Sequence, residues 1–305
     1  MSLQAPSAVV MIRPHHFRPN LETAADNAFQ SDSPLSPEDT ARAARDEFDG
    51  MVTAMREAGV TVHVFEDEGD QTPDSVFPNN WFSTHAGGHV AIYPMHAETR
   101  RRERRSDVIE FLKRDYRVQN VIDYSGLEAD GLALEGTGAM VLDHVGRVAY
   151  VVRSNRADPV ILERFCTHFN YEPVAFDASD RDGRAIYHTN VLMGIGTEYA
   201  LVGLGMIADA ERRDTVVRRL EESGHEVIAL GEDQIARFAG NAFEVTGGDG
   251  GRILMLSETA HSALTPEQIA VVEKTARLLP VSIPVIETAG GSVRCMIAGV
   301  HLSRR

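Results

Sequence analysis

Cysteine is scarce in this sequence, which has two among 305 residues, Cys166 and Cys295. This count excludes a disulfide scaffold and a four-cysteine zinc site. The sequence also lacks an N-terminal signal peptide and any run of about 18 apolar residues that could span a membrane. We therefore expect a protein of the reducing cytoplasm, in which an isolated cysteine is either inert or a nucleophile.

Basic residues are also few, 30 against 45 acidic ones, so the net charge is −15. This balance does not favour a general nucleic-acid-binding surface. The one basic run, Arg100–Arg105, stands where a helix should begin, and we interpret it as a solvated helix face rather than a binding patch. A hydrophobic content of 43% is ordinary for a globular protein that buries a sizeable core.

A polar residue stands at the mouth of an apolar strand five times, at a period of about 54 residues. A fixed period in this range indicates a repeat architecture rather than a chance series of motifs. If the repeats close around an axis, equivalent strand ends meet at one place. The five residues are Asn79, Glu135, His188, Asn241 and Cys295.

The pattern of strands and helices supports one domain over residues 1–305, built from five units. We place them at about 60–117, 118–170, 171–224 and 225–280, with 281–305 joined to 1–59. Amphipathic helices are predicted near 36–58, 100–117, 157–169, 209–223 and 266–278, and two final strands at 283–286 and 295–302. Residues 18–34 form a long polar loop, either a lid over a site or a plain surface loop.

Three of the residues in this pattern could carry chemistry. Cys295 follows a Gly-Gly segment and Arg294, which can offer the donors and charge that a thiolate needs, although a buried, inert thiol is the alternative. His188 could act as a general acid and then a base. Glu135 could orient that histidine, or simply cap a turn. Cys166 lies in a helical pattern and is interpreted as a core or surface residue without a chemical role.

Four asparagines would add neutral donors and acceptors to the same cavity: Asn79, Asn80, Asn190 and Asn241. Asparagine commonly serves turns, so each of them is weak evidence alone. Histidines also recur over residues 85–96, but no nearby carboxylate or cysteine completes a metal ligand set. We therefore expect no metal at these histidines.

These residues and motifs resemble the guanidino-group-modifying, or pentein, superfamily of arginine deiminases, dimethylarginine hydrolases and amidinotransferases. The segment Gly290–Met296 is similar to the nucleophile segment of the deiminases, and Leu134–Gly136 to their acidic segment. Pro78–Phe82 is most similar to the citrulline-utilisation hydrolase (CtlX-type) subgroup. The resemblance covers the chain and implies an α/β pentein fold, a five-bladed pseudo-fivefold αβ propeller of ββαβ repeats. It also implies a triad of Cys295, His188 and Glu135, without cofactors.

The sequence departs from that pattern where deiminases grip the guanidinium cation with two aspartates. In this sequence Asn79 or Asn80 stands in place of one of these aspartates, and Asn190 stands in place of the other. Two aspartates in a dry site favour a cation strongly, whereas asparagines suit a neutral ureido group. We therefore expect a C–N hydrolase that acts on citrulline through a covalent intermediate on cysteine. An arginine should bind the substrate carboxylate, with Arg294 and Arg184 as candidates.

Other functions remain open. The same fold and chemistry would serve arginine deimination, dimethylarginine hydrolysis or amidino transfer, and a closed propeller can also be a binding module without catalysis. In each enzymatic case the partner is a small amino acid like citrulline or arginine, not a nucleic acid or a membrane. The sequence leaves homo-oligomerisation undecided.

Overall fold

Five sheets of three strands each make up the computed structural model, which describes residues 3–305. In chain order the strands are β1 Ala8–Pro14, β2 Thr61–Asp67, β3 Phe82–His85, β4 His89–Ile92, β5 Asn120–Asp123, β6 Met140–Asp143, β7 Val148–Val152, β8 Glu172–Phe176, β9 Met193–Ile195, β10 Tyr199–Val202, β11 Glu226–Ala229, β12 Phe243–Thr246, β13 Arg252–Ser257, β14 Ala276–Val281 and β15 Ala298–Gly299.

Helices and short helical turns connect these strands. They are α1 Pro37–Glu57, α2 Glu98–Arg101, α3 Ser106–Asp115, α4 Gly136–Ala139, α5 Pro159–Phe169, α6 Thr189–Leu192, α7 Ala210–Glu222, α8 Glu232–Ile235, α9 Glu258–His261, α10 Pro266–Glu273, α11 Pro284–Glu287 and α12 Val293–Met296. Ser36 caps α1 with Pro37 at its first position, and Thr265 opens α10 with a capping box.

Each of four sheets combines an antiparallel hairpin with a third strand added in parallel. In the first of them β3 pairs antiparallel with β4, and β5 pairs parallel with β4 after the chain has crossed through α3. A parallel neighbour requires such a crossover, usually a helix. Sheets β6-β7-β8, β9-β10-β11 and β12-β13-β14 repeat this order. The sheets are therefore offset by one strand from the sequence units, because the parallel strand begins the next unit.

The fifth sheet joins the two ends of the chain. Strand β15 pairs antiparallel with β1 through Val9↔Gly299, and β1 pairs parallel with β2 from Ala8↔Thr61 to Pro14↔Asp67. The leading strands of successive sheets also touch, β15 with β3, β6 with β9 and β9 with β12. The sheets thus form a ring whose leading strands line the centre.

Three local predictions were wrong. Four of the five polar residues do not open strands directly but stand at short helical turns that precede them, as Glu135 does before α4 and His188 before α6. The segment 283–302 contains the turns α11 and α12 and only the two-residue strand β15. The last long helix ends at Glu273, and the chain is already in β14 by Ala276, because the parallel pairing with β13 overrides the helical pattern.

Among the described residues no helix is both long and apolar enough to cross a membrane.

Candidate active site

The centre of the ring is built from the short turns that precede the leading strands. The 3₁₀ turn Pro78–Asn80 precedes β3, while α4, α6 and α12 precede β6, β9 and β15. The 3₁₀ turn contacts both α4 and α12, and α4 contacts α6. Because equivalent turns meet around the axis, residues far apart in sequence lie in one small region.

Glu135 and His188 form a buried pair across two of these turns. His188 Nε2 lies 2.7 Å from Glu135 Oε2, and the two residues are 2% and 0% exposed. Burial lowers the pKa of His188 to about 4, although the hydrogen bond and charge of Glu135 act in the opposite direction. The ring is therefore neutral at pH 7, with Nε2 donating to Glu135 and Nδ1 left as a base.

Two arginines also surround the Glu135 carboxylate. Arg156 Nη1 lies 3.4 Å and Arg100 Nη1 lies 3.6 Å from Glu135 Oε2, and the backbone N–H of His96 donates to Oε1 at 3.0 Å. Burial raises the pKa of Glu135, but Arg156 and His188 lower it by more, so the net direction is down. Glu135 is thus ionised and can stabilise a protonated His188.

Cys295 lies in α12 with its sulfur between two amides. Asn190 Nδ2 donates to Sγ at 3.2 Å and Asn241 Nδ2 at 3.3 Å. Asn241 also fixes the segment itself, because its Oδ1 accepts from the backbone N–H of Arg294 at 3.0 Å. Asn190 Oδ1 is buried and has no partner within residues 3–305. A buried acceptor without a partner is a functional-site signal.

The glycines before Cys295 have a geometric reason. Gly290 adopts φ +78°, a left-handed conformation that side chains rarely adopt, and its carbonyl accepts from Tyr187 Oη at 2.6 Å. Gly291 packs against Phe77 so closely that a Cβ there would lie 2.9 Å from the ring. The Gly-Gly segment thus bends the chain tightly under two aromatic rings before it enters α12.

The other two asparagines differ in position. Asn80 borders the cavity; its amide is satisfied when its oxygen accepts from Arg100 Nη2 at 3.0 Å and its nitrogen donates to Asn79 Oδ1 at 3.3 Å. Asn79 is fully buried behind it and does not line the cavity. Asn80 thus borders the cavity, Asn190 and Asn241 contact the sulfur of Cys295 without lining the cavity, and Asn79 lies behind Asn80.

A small cavity lies beside these groups. Its free volume is about 20 Å³, room for about one water molecule. The residues that line it are Thr23, Asn27, Asp74, Phe77, Asn80, Arg100, Arg156, Tyr187, His188, Ala289, Gly291 and Cys295. Cys295 and His188 thus face the same space. Because Thr23 and Asn27 belong to the predicted 18–34 loop, that loop covers the site.

Sequence reasoning missed the charged residues of this cavity: Arg100, Arg156 and Asp74. The interpretation of the basic run as a solvated face was wrong for Arg100, which is 3% exposed and pairs with Glu103 at 2.9 and 3.0 Å. Burial raises the pKa of Glu103 to about 8, against the lowering effect of Arg100. Glu103 was the signal available in the sequence for this buried pair. It is the one acidic residue within the run, and it stands three residues after Arg100, so the two share a helix face.

The two arginines suggested from sequence lie elsewhere. Arg294 points away from the cavity, stacks on Phe243 at 4.3 Å and donates to the carbonyl of Ile297. Arg184 is exposed and pairs with Asp182 at 2.8 Å. Consecutive residues of a helical turn point in different directions, so Arg294 cannot reach the space that Cys295 faces.

Within residues 3–305 no group of three or more His, Cys, Asp or Glu side chains is placed to hold a metal ion.

Cys166 is buried in α5, where burial raises the pKa of its thiol to about 12. A thiol of this kind is unreactive at neutral pH.

The sequence model of the eukaryotic N,N dimethylarginine dimethylhydrolase family matches residues 13–302. The chain belongs to this family. The dimethylarginine dimethylhydrolases act on guanidino C–N bonds and are pentein enzymes, so the predicted superfamily is confirmed. The citrulline-utilisation subgroup stays a prediction. No curated protein matches the chain by sequence.

Solved pentein structures share the dimethylhydrolase fold of this chain. The N-terminal domain of ArgZ, a cyanobacterial arginine dihydrolase, has a TM-score of 0.73 at 17% identity, covering 95% of this chain and 96% of that one. A DDAH from Pseudomonas aeruginosa has a TM-score of 0.64 at 13% identity, covering 99% and 100%. AgrE has a TM-score of 0.74 at 17% identity, covering 98% and 40%. Together with the five sheets, these matches confirm the predicted pentein fold class.

Proposed function

We propose that the protein hydrolyses a C–N bond of a ureido amino acid, with citrulline as the substrate and Cys295 as the nucleophile. The neutral amides around the sulfur carry this proposal: Asn190 and Asn241 lie 3.2 and 3.3 Å from Sγ, and Asn80 borders the same cavity. A guanidinium cation in a dry site needs carboxylates. An amide can instead donate to the ureido oxygen and accept from its NH₂ group, for which Asn190 Oδ1 is free.

The opposite side of the cavity fits the amino-acid end of the substrate. Arg156 offers its guanidinium group to an α-carboxylate, which such a group binds in a bidentate fashion, and Arg100 adds positive charge beside it while its Nε and Nη2 hold Glu103. Asp74 lines the cavity 3.6 Å from Arg100 Nε and can accept from an α-ammonium group. We assign the carboxylate to this pair in place of Arg294 and Arg184. The relatives support such a ligand, since AgrE was solved with ornithine and the Pseudomonas DDAH with citrulline.

In the first half-reaction, neutral His188 takes the thiol proton of Cys295 through Nδ1, and the sulfur attacks the ureido carbon. Glu135 stabilises the imidazolium that forms. His188 then gives this proton to the terminal nitrogen, which leaves as ammonia. A thiocarbamate remains, in which the sulfur is bonded to the carbonyl carbon of the substrate.

In the second half-reaction, a water takes the place of ammonia. His188 accepts its proton while the oxygen attacks the carbonyl carbon, and then returns the proton to the departing sulfur. The carbamate released from the enzyme decomposes to ornithine and carbon dioxide. The sum is citrulline plus water giving ornithine, ammonia and carbon dioxide, with no oxidant or metal required.

The family match makes dimethylarginine the second candidate substrate, because its guanidino group could be hydrolysed by the same three residues. The cavity is less suited to it. Asp74, the one carboxylate among the residues that line the described cavity, lies at the arginine side rather than at the sulfur. A cationic head group at Cys295 would face amides.

The test incubates the protein separately with citrulline, arginine and dimethylarginine and follows ammonia, ornithine, citrulline and dimethylamine. We expect ornithine and ammonia from citrulline, and loss of turnover in Cys295→Ala. Mass spectrometry of the quenched enzyme should show the thiocarbamate adduct on the Cys295 peptide. Conversion of arginine to citrulline with citrulline left untouched would contradict the ureido assignment, and turnover by Cys295→Ala would remove the mechanism.

A further inference from the structure

The loop between β1 and α1, residues 15–36, closes the cavity through contacts with the segment that precedes Cys295. Asn27 Nδ2 donates to the carbonyl of Ala289 at 3.1 Å, and the backbone N–H of Ser31 donates to the carbonyl of Thr288 at 2.9 Å. The remaining free volume, about 20 Å³, cannot hold an amino acid. Substrate entry therefore requires this loop to move.

One side chain of the loop binds an arginine of the cavity. Asp26 Oδ2 accepts from Arg156 Nε at 3.0 Å, and Asp26 Oδ1 accepts from Arg156 Nη2. Asn155 Nδ2 donates to the same carboxylate at 3.0 Å. This two-point contact along one edge of a guanidinium is the geometry that a substrate α-carboxylate would adopt.

The other sides of Arg156 are also engaged. Its Nη1 faces Glu135 Oε2 at 3.4 Å, and Tyr187 covers its face with the ring centroid at 4.8 Å. Arg156 is 2% exposed, so no second edge is open to a ligand. Asp26 and a substrate carboxylate cannot bind it together, because both need Nε and Nη2.

We propose that Asp26 is an intramolecular competitor that occupies the position of the substrate α-carboxylate on Arg156 and thereby sets the affinity for amino-acid ligands. This inference rests on the proposed function only in assigning the carboxylate to Arg156, and it holds for a ureido or a guanidino head group alike. When the competing contact is formed about nine-tenths of the time, it weakens apparent binding about tenfold, because the apparent dissociation constant is the intrinsic one divided by the competent fraction.

The alternative is that Asp26 merely fastens the loop, and Glu22 offers a matched control. Glu22 Oε2 accepts from the backbone N–H of Thr99 at 3.0 Å and from its hydroxyl at 2.8 Å. It therefore holds the same loop without touching Arg156 or Arg100. Loss of a fastening would affect Asp26→Asn and Glu22→Gln in the same way, whereas loss of a competitor would affect only the first.

The experiment measures KM for citrulline in the wild type and both variants. Calorimetry measures binding of citrulline, arginine, ornithine and N-butylurea to the same three proteins carrying Cys295→Ala. We expect Asp26→Asn to bind the three amino acids about tenfold more tightly and Glu22→Gln not to. N-butylurea has no carboxylate, so the Asp26→Asn change should leave its affinity unaltered.

Equal or weaker amino-acid binding by Asp26→Asn, or parallel changes in both variants, would overturn the competitor role. Tighter binding of N-butylurea would do so as well, because it would show a general opening of the loop. The proposed function fails separately, if wild-type enzyme leaves citrulline unchanged while ornithine or arginine still binds more tightly to the Asp26→Asn protein.

Discussion

Replacing Asn190 with aspartate tests directly why the sulfur is surrounded by amides. The variant puts a carboxylate where Asn190 Nδ2 now lies 3.2 Å from Cys295 Sγ. Two unit negative charges at this distance repel by about 5 kcal/mol at an effective dielectric constant near 20, equivalent to roughly three pH units or more. Because the two groups share one buried site, the pair should carry a single negative charge at neutral pH.

Iodoacetamide labelling of Cys295 as a function of pH measures this effect. In Asn190→Asp the pH of half-maximal labelling should rise by about four units, and kcat/KM for citrulline at pH 7 should fall at least about 100-fold. The kcat/KM for arginine should fall less, because the guanidinium cation of arginine offsets the added negative charge. Asn190→Leu removes the donor without adding a charge and serves as the matched control. The pH of half-maximal labelling should shift less in this variant.

Two outcomes would refute the reasoning. If the labelling profile of Asn190→Asp coincides with that of the wild type, the carboxylate does not interact with the sulfur. If Asn190→Leu shifts the profile as far as Asn190→Asp, the loss of a hydrogen bond rather than the added charge controls the thiolate.

Other perturbations test the remaining contacts. Glu135→Gln should lower kcat by about 100-fold or more, since the His188 imidazolium loses its anion, while labelling of Cys295 persists. Stopped-flow kinetics measure the loss, and circular dichroism distinguishes it from unfolding. Gly138→Ala should abolish turnover in a folded protein, because the new Cβ would lie 2.8 Å from His188 Nδ1, and Gly126→Ala, with open space around it, should be silent. The free energy of unfolding should fall between pH 6.5 and 4, by up to about 1.4 kcal/mol per pH unit for each buried histidine whose folded pKa is depressed, since the unfolded chain binds more protons there. Thermal melts across this range check it, and a flat profile would contradict it. These histidines are His85, His144 and His188.

The repeat in the sequence was sufficient to predict where the central residues lie. A period of about 54 residues puts Glu135, His188 and Cys295 at equivalent places of a closed ring, whatever the details of each unit. The helices predicted near 36–58 and 266–278 likewise correspond to α1 and α10, whose starts are capped by Ser36 and Thr265. These features depend on local chemistry and on chain periodicity, and both can be read without coordinates.

Short segments at the centre were harder to predict. The residues before β6 and β9 form single helical turns because neighbouring turns pack against them, and four residues are too few to show a usable period. Residues 283–302 look like two strands, yet within them only β15 pairs. Tertiary contact rather than propensity decides such short pieces.

The sequence by itself determined the ring and its α/β class. It also determined that a thiol, an imidazole and a carboxylate meet at the central turns. Only the tertiary structure decided which charges join them. Arg100 turns inward from a run of similar arginines because Glu103, Asp74 and Glu135 are buried beside it, and Asp26 reaches Arg156 across 130 positions of the chain. Long-range electrostatics between flexible side chains leave no periodic trace in sequence, whereas strands and helices do.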